Sequence, residues 1–423
     1  MRVLAKDLAN HDGATVVVSG WVHRVRALGA ITFVLLRDRS GLAQIVFDAE
    51  PEFGAESVVR VQGLVQHNAK APGGFEIQQP SVELLAPADS ELPLPINQDL
   101  EAVGVDALLD HRIVSLRNPK VRHMFELQSG LIAYFADYLR SNDFTEIKSS
   151  KLIGSGTEGG TGLFTVDYFG RSVYLAQSPQ FYKQAMVASG MERVFEIGAA
   201  YRAEKHDTPR HLNEYVSLDV EMGFIESEAD LMDLEVELLA YIFEAVARDH
   251  ETVLAEYGAT VPTAEAMRNT PRIDHDRAKA IIGERAGKRV FEINPEGERV
   301  LCDWALEEHG VDAVFVYGFP RKKRPFYTYP EGLKTRSFDL LFRGLEITTG
   351  GQRIHRYDEL LATLPKFGLT LEGLGDYPKI FQYGCPPHGG FAIGLERLTQ
   401  QILGRTNVKE ASLFPRDRRR VRP

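Results

Sequence analysis

Between residues 15 and about 85 the chain runs as four short β-rich pieces, TVVVSGWVHRV, AITFVLLRDRSGLAQIVFD, SVVRVQGLVQ and GGFEIQQPSVELL, separated by Gly, Asn and Pro. Several short strands with tight turns between them predict a small all-β barrel. In the first piece Trp21 and His23 alternate with Val22, so they share one face and Val22 takes the other. Arg24 and Arg26 follow, and Phe33 and Phe47 lie in the next strands. Such a mixture suits single-stranded nucleic acid, because bases stack on rings while guanidinium groups meet phosphates. An ordinary barrel core accounts for the same aromatics equally well.

A barrel of that size leaves most of the 423 residues over, and with 44% hydrophobic content the chain is expected to form two domains. Cys302 and Cys385 stand far apart without His or Cys at metal-ligand spacing, so neither a disulfide framework nor a zinc site is expected. The start, MRVLAKDLANHDG, has no apolar run, and no later stretch is long enough to span a bilayer. The expectation is a soluble, unsecreted protein of the reducing cytoplasm. A formal net charge of -10 argues against a surface devoted wholly to nucleic acid. Local basic faces remain open at Arg24, Arg26, Arg37 and Arg39, and at Arg416, Arg418, Arg419, Arg420 and Arg422 of the ending FPRDRRRVRP. Solvated charge explains either of these taken alone.

After the barrel comes PADSELPLPINQDLEAVGVDALLDHR, rich in Pro and acidic residues, which reads as a linker. VRHMFELQSGLIAYFADYLRSNDF and ADLMDLEVELLAYIFEAVARDH carry apolar residues at helical spacing. AVFVYGF, RSFDLLFRGLEITTGG and GGFAIG read as strands.

Three later segments put charged residues into apolar strands, which burial tolerates only with partners. In FEIGAAYRAEKHDTPRHLNEYVSLDVEMGF, Arg202 and Glu204 share one side of an apparent strand, and a turn-rich stretch with His206, Thr208, Pro209, Arg210 and His211 precedes the next strand. Two strands joined by a cationic loop make an anion-binding hairpin or a salt-bridged surface hairpin. In FDLLFRGLEITTGGQRIHR, Asp339 and Glu346 supply hard oxygen ligands of the kind magnesium takes, with Thr348, Thr349, Gly350, Gly351 and Arg353 beyond. PPHGGFAIGLERLTQQILG is a Gly-rich strand entering a helix near Leu395, with Glu396 and Arg397 in its first turn.

Together these segments resemble motif 2, the metal-bearing strand and motif 3 of class II aminoacyl-tRNA synthetases. TEGGTGLFTVDYFGRSVYLAQSPQFYKQ, residues 157–184, is similar to the aspartate-specific members of subclass b. The compact chain and its FPRDRRR ending resemble the archaeal-type branch of the aspartyl-tRNA synthetases. The resemblance implies an α+β protein with an all-β N-terminal domain: an OB-fold anticodon-binding domain over 1–90, a hinge over 91–115, and a class II antiparallel-sheet catalytic domain with flanking helices over 116–423. The implied activity is aspartate–tRNA ligation with ATP as co-substrate and Mg2+ as cofactor, by a cytoplasmic homodimer with no membrane association.

Carried over residue by residue, the resemblance implies that Arg202 contacts the α-phosphate and the substrate carboxylate. Ala203 and Glu204 meet the nucleotide, and Arg210, His211 and Leu212 line the motif 2 loop against ATP. Gly394, Leu395, Glu396 and Arg397 close the nucleotide site. Glu346 and Thr349, with Asp339, hold magnesium. Glu158, Gln180, Lys183, Arg202, Thr349 and Arg353 bind aspartate, and Asp219 assists at its ammonium group. Lys183 and Arg353 favour a carboxylate over a neutral amide. Asparaginyl relatives lack a lysine at the position of Lys183, and a lysyl relative would suffer repulsion there. The chain departs from the family pattern at Ser150, where motif 1 generally ends in proline, and at Thr349, where serine is common. An asparagine–tRNA ligase and a catalytically silent RNA-binding paralogue are the alternatives. The resemblance also implies tRNA(Asp) as partner, with tRNA(Asn) accepted as in some compact bacterial forms, discrimination resting on the Trp21–His23 strand and the loop 70–80.

Overall fold

Alternating apolar residues close the first of two units, Met1–Asn118, on itself. In the computed structural model, which describes residues 2–88, 91–156 and 162–422, strands β1 (Thr15–Leu28), β2 (Ile31–Asp38), β3 (Gly41–Phe47), β4 (Val58–His67) and β5 (Phe75–Ala86) form a closed barrel in the order β1-β2-β3-β5-β4. Val18, Val22, Val34, Leu36, Ile45, Val61 and Ile77 fill it, since every second side chain of a strand points inward. Phe47 packs against this core.

His23 is the extra residue of a β-bulge: Val22 pairs with Leu36 and Arg24 with Leu35. The bulge resets the alternation, so Val25 returns to the core while Arg24 and Arg26 are exposed. Arg26 pairs across the ladder with Phe33. Arg37 does not join an open basic face, because its side chain is 4% exposed and forks onto Glu56, with Nη1–Oε1 and Nη2–Oε2 both 2.8 Å. It also donates to His23 Nδ1 at 2.8 Å. Arginine only donates, so Nδ1 must accept and the imidazole is neutral. Burial first, then Arg37, lowers the His23 pKa.

Within residues 91–115, expected as a hinge, the chain forms two short helices, α1 (Val105–Asp110) and α2 (Arg112–Ser115). Asn118 ties the segment down by donating to the carbonyls of Ile96 and Gln98, each at 2.9 Å.

The second unit, Pro119–Pro423, opens with α3 (Pro119–Ser141), followed by short strands β6 (Thr145–Glu146), β7 (Leu152–Ile153), β8 (Thr165–Tyr168) and β9 (Arg171–Leu175). Next come α4 (Gln180–Met186), the hairpin β10 (Arg193–Tyr201) and β11 (Glu214–Gly223), and α5 (Glu228–Asp249). Then follow α6 (Glu251–Tyr257), α7 (Ala264–Arg268), β12 (Arg272–Asp274), α8 (His275–Ala286), α9 (Pro295–His309), β13 (Ala313–Tyr317), β14 (Pro330–Glu331) and β15 (Lys334–Thr335). The chain closes with β16 (Ser337–Phe342), β17 (Leu345–Gln352), α10 (Tyr357–Thr363), α11 (Lys379–Gln382), β18 (His388–Gly394) and α12 (Leu395–Ile402).

Eight of these strands build one sheet, in the order β12-β13-β16-β17-β18-β11-β10-β6. Its central pairs are antiparallel, with parallel pairs at the two ends. α3 and α5 cover one face: Leu127, Leu131, Phe135 and Leu139 of α3 and Leu239, Ile242, Phe243 and Val246 of α5 pack with Phe315, Phe338, Leu340 and Phe391. Their three-and-four spacing is the helical stripe seen in the sequence. α5 starts at a capping box, Ser227 accepting from Ala229 N–H and Asp230 closing back on the Ser227 backbone, an arrangement worth about 1 kcal/mol. On the other face α8 and α9 pack against Val314, Val316 and Leu341 at the β13–β16 end, and the site occupies the part beside them. Among the described residues, no helix is long and apolar enough to cross a membrane.

Candidate active site

β11 carries Ser217, Asp219 and Glu221 on one face and sends Leu218 and Val220 into the core. Lys183, on α4, reaches this strand and is 2% exposed, its Nζ 3.0 Å from Asp219 Oδ1 and 3.3 Å from Glu221 Oε2. Arg353 follows β17 and forks onto the same carboxylate, Nε to Oε1 at 3.0 Å and Nη2 to Oε2 at 3.3 Å, while Nη2 also donates to Gly390 O at 2.9 Å. The two cations expected to converge therefore do so, on a group that sequence pattern had not singled out. Burial pushes the Glu221 carboxyl up, but Arg353 and Lys183 outweigh it and hold it below the usual glutamate value. The signal available was its place two residues after Asp219 in an apolar strand. Gly390 leaves room for it, since a Cβ there would lie 2.2 Å from Glu221 Oε2.

Gln180 lines the same cavity, and its buried Nε2 has no hydrogen-bond partner among the described residues. Behind Lys183, Tyr377 donates to Gln184 Oε1 at 2.9 Å, and Gln184 Nε2 lies 2.8 Å from His388 Nε2. An amide nitrogen only donates, so His388 Nε2 accepts and Nδ1 donates to Pro386 O at 2.8 Å. Burial pushes the His388 pKa down to about 4, keeping the ring neutral beside the two cations.

A second cavity adjoins the first. Arg202, Glu204, Arg210, His211, Leu212, Glu346, Thr349, Gly394, Glu396 and Arg397 line it, and Arg202, Tyr215, Ser217, Thr349 and Ala392 form walls of both. Arg202 and Glu204 lie past the end of β10 rather than on it; Arg202 N–H donates to Asn213 O at 2.9 Å and Glu204 N–H to Arg202 O at 2.7 Å. Ala203 lines a neighbouring cleft with Arg416 and Arg418, and the Leu395 side chain is buried in the core. Neither side chain lines the cavity where both were expected. Arg210 is paired with Glu298 of α9, and His211 Nδ1 lies 2.6 Å from Thr208 Oγ1. Arg397 Nη1 donates to the Glu346 carbonyl at 2.8 Å. Both oxygens of Glu396 accept from Val216 N–H at 3.1 Å, and burial raises its carboxyl to about 7.

The basic ending is built into this loop. Asn213 N–H donates to Arg416 O at 2.8 Å, Arg418 Nη1 donates to Lys205 O at 3.0 Å, and Asp417 sits 2.7 Å from Lys409. Arg416 and Arg418 are thereby joined to the β10–β11 loop, while Arg418, Arg419 and Arg422 remain exposed.

Asp339 pairs with Thr349 across β16 and β17, and Leu341 pairs with Glu346, so Ile347 is the extra residue of a bulge. Asp339 and Leu341, two apart on a regular strand, share a face, and so their partners Thr349 and Glu346 share it too. Thr349 Oγ1 donates to Asp339 Oδ1 at 2.7 Å. Burial first, then the neighbouring Asp339 charge, pushes the Glu346 carboxyl up, while Arg397 and Arg324 oppose the rise. Two carboxylates and a hydroxyl on one face match how a hard dication is held when substrate phosphates supply the remaining ligands. Among the described residues, no group of three His, Cys, Asp or Glu forms a cage of its own. Glu158 lies outside the described residues.

An antiparallel sheet that floors two adjoining cavities, one walled by buried cations and one by arginines, matches a known family. Residues 104–418 match the model for tRNA synthetases class II (D, K and N), and residues 16–85 match the OB-fold nucleic acid binding domain. The chain belongs to the class II tRNA synthetases. It is 51% identical over 425 residues to the aspartate–tRNA(Asp/Asn) ligase of Thermus thermophilus, with 100% of each chain covered. It is 46% identical to the enzyme of that name from Deinococcus radiodurans, covering 100% of this chain and 99% of that one. Among solved structures, asparaginyl-tRNA synthetase from Pyrococcus horikoshii with bound asparaginyl-adenylate superposes with a TM-score of 0.92 at 30% identity, over 100% of both chains.

Proposed function

We propose that this chain is an aspartate–tRNA ligase that activates L-aspartate with ATP and transfers it to the 3' end of tRNA(Asp), and of tRNA(Asn) as well. The observation that carries the choice of amino acid is the buried convergence of Lys183 and Arg353 on Glu221. A side-chain carboxylate in this cavity meets two cations that can give it charge-assisted hydrogen bonds. A neutral amide offers weaker, uncharged acceptance and turns an N–H donor towards groups that can only donate. Gln180 Nε2 supplies a further donor and Asp219 a carboxylate for the ammonium group. Exchange of pyrophosphate with ATP stimulated by asparagine and not by aspartate would establish the neighbouring specificity instead. A chain with no exchange activity would be a silent RNA-binding paralogue.

Arg202, in the wall common to both cavities, holds the α-carboxylate and the α-phosphate together. An oxygen of that carboxylate attacks the α-phosphorus and pyrophosphate leaves. Negative charge grows on a pentacoordinate phosphorus, and Arg202 and Arg397 stabilise it by position and charge. Glu204, Arg210 and His211 keep the nucleotide in place. Asp339, Glu346 and Thr349 would hold Mg2+, which when bound neutralises phosphate charge. In the second step a ribose hydroxyl of the tRNA terminus attacks the aspartyl carbonyl and AMP leaves, without a protein nucleophile.

Exposed Trp21, with Arg24, Arg26 and Phe33 beside it on the barrel, supports an anticodon-binding role for residues 1–90. Acceptance of both tRNAs rests on the relatives named for both. Charging purified tRNA(Asn) with aspartate tests it, and failure to charge ends the relaxed reading. A cytoplasmic homodimer is part of the same proposal. Ser150, where the family has proline, closes its own turn by donating Oγ–H to Leu152 O at 3.0 Å.

A further inference from the structure

Asp339 and Thr349 are latched by a residue that the reaction as described does not use. Arg324 Nη1 donates to Thr349 Oγ1 at 2.8 Å, and its Nη2 lies 2.7 Å from Asp339 Oδ2. Thr349 in turn donates to Asp339 Oδ1 at 2.7 Å, so guanidinium, hydroxyl and carboxylate form a ring of two hydrogen bonds and one ion-pair contact, Nη2 meeting Asp339 without hydrogen-bond geometry. The Arg324 side chain is 11% exposed, and its guanidinium carbon lies 3.8 Å from the centre of the Phe319 ring, a cation–π seat that holds it in place. Glu346 is left outside this ring, with Arg397 Nη1 3.4 Å from its Oε1. Both Asp339 oxygens are thus engaged on the face where a dication would sit.

We propose that Arg324 is a removable counter-ion of the metal site: it occupies Asp339 and Thr349 in the free enzyme and yields them when a divalent cation arrives with the nucleotide. A guanidinium and a dication on one carboxylate repel, so each weakens the other's hold. Metal without nucleotide must displace the latch unaided. Metal arriving with triphosphate brings ligands of its own, and the phosphates offer the released guanidinium a new partner. Arg324 already lines the amino-acid cavity, so its release also changes the charge that aspartate meets. Loading of metal and loading of nucleotide become one event.

The inference rests on the metal-site reading above, and Mn2+ binding to the full chain, followed by electron paramagnetic resonance of the free ion, separates the two. Without nucleotide, Arg324→Met should bind Mn2+ about tenfold more tightly than wild type if the latch is open roughly one-tenth of the time. With α,β-methylene-ATP the two proteins should agree within about twofold. Arg324→Lys, which keeps a charge but loses the fork, should fall between. Equal or weaker nucleotide-free affinity in Arg324→Met overturns the latch. Should that variant fail to fold, an Arg324→Lys protein with wild-type Mn2+ affinity does the same. Glu346→Gln tests the site itself: if it retains full Mn2+ affinity with nucleotide, the metal-site reading fails. If it loses that affinity while Arg324→Met matches wild type, only the latch fails.

Discussion

Glu221 and Arg353 are joined by two hydrogen bonds, Nε to Oε1 at 3.0 Å and Nη2 to Oε2 at 3.3 Å, with both side chains buried. Lys183 lies 3.3 Å from the same carboxylate and 3.0 Å from Asp219. The pocket therefore balances two cations against two carboxylates before any substrate enters, which avoids leaving bare charge in a dry site.

Replacing Lys183 or Arg353 with methionine should raise the KM for aspartate by roughly tenfold or more, the loss of one charge-assisted hydrogen bond, and leave the KM for ATP nearly unchanged. Pyrophosphate exchange measured against each substrate separately decides this. Equal effects on both would remove these residues from amino-acid recognition.

Gly390→Ala tests the same geometry without touching a charge. Its Cβ would meet Val220 O at 2.0 Å and Glu221 Oε2 at 2.2 Å, so Glu221 must move and take Arg353 with it. Overpacking of this kind costs about 1–3 kcal/mol. The expected outcome is a folded protein with a lowered Tm and weakened aspartate binding, measured by calorimetry. Wild-type aspartate affinity would show that Glu221 does not set the position of Arg353.

Glu235, wholly buried on α5, has its carboxyl pushed up from 4.5 to about 8, chiefly by burial, with the Asp339 charge adding and the Thr348 hydroxyl opposing. Between those two values the folded chain binds more protons than the unfolded one, so stability falls as pH rises. The contribution is complete below 4.5 and is lost as pH passes through about 8. Glu235→Gln removes this slope. Thermal melts of both proteins from pH 5 to 9 should show wild type losing ground to the variant as pH rises; parallel curves would contradict the burial argument.

In the barrel, Glu56→Gln leaves Arg37 buried without its counter-charge, a change worth about 3–5 kcal/mol. Urea unfolding followed by Trp21 fluorescence in a Trp304→Phe background should shift accordingly. Exchange without tRNA should hold, since every residue proposed for activation lies in the other unit.

Much of this was legible in the chain itself. Period-two alternation located the barrel strands, and the helical stripe located α3 and α5, because a simple repeat marks one buried face. Arg202 and Arg397 stood out as charges beside apolar strands, whereas Lys183 and the role of Arg353 came with the family resemblance. What escaped had physical reasons. A repeat of two cannot reveal an inserted residue, so neither the bulge at His23 nor the one at Ile347 was visible. Arg37, Arg416 and Arg420 looked like parts of open basic faces because composition does not disclose their partners, Glu56, the β10–β11 loop and Asp417. Glu221 was overlooked beside Asp219, although a second carboxylate in an apolar strand requires a cation.

The extra residue at Ile347 also bears on how such a site can be sought elsewhere. Along a regular strand, a carboxylate and a hydroxyl aimed at one ion stand two positions apart, as Glu-x-Thr. Here they read Glu-x-x-Thr, and the added letter records a fault in the ladder rather than a requirement of the metal. A pattern search built on this spacing collects proteins that inherited the same irregular strand. A protein that reached the same donor set on an unbroken ladder would pass through it unseen.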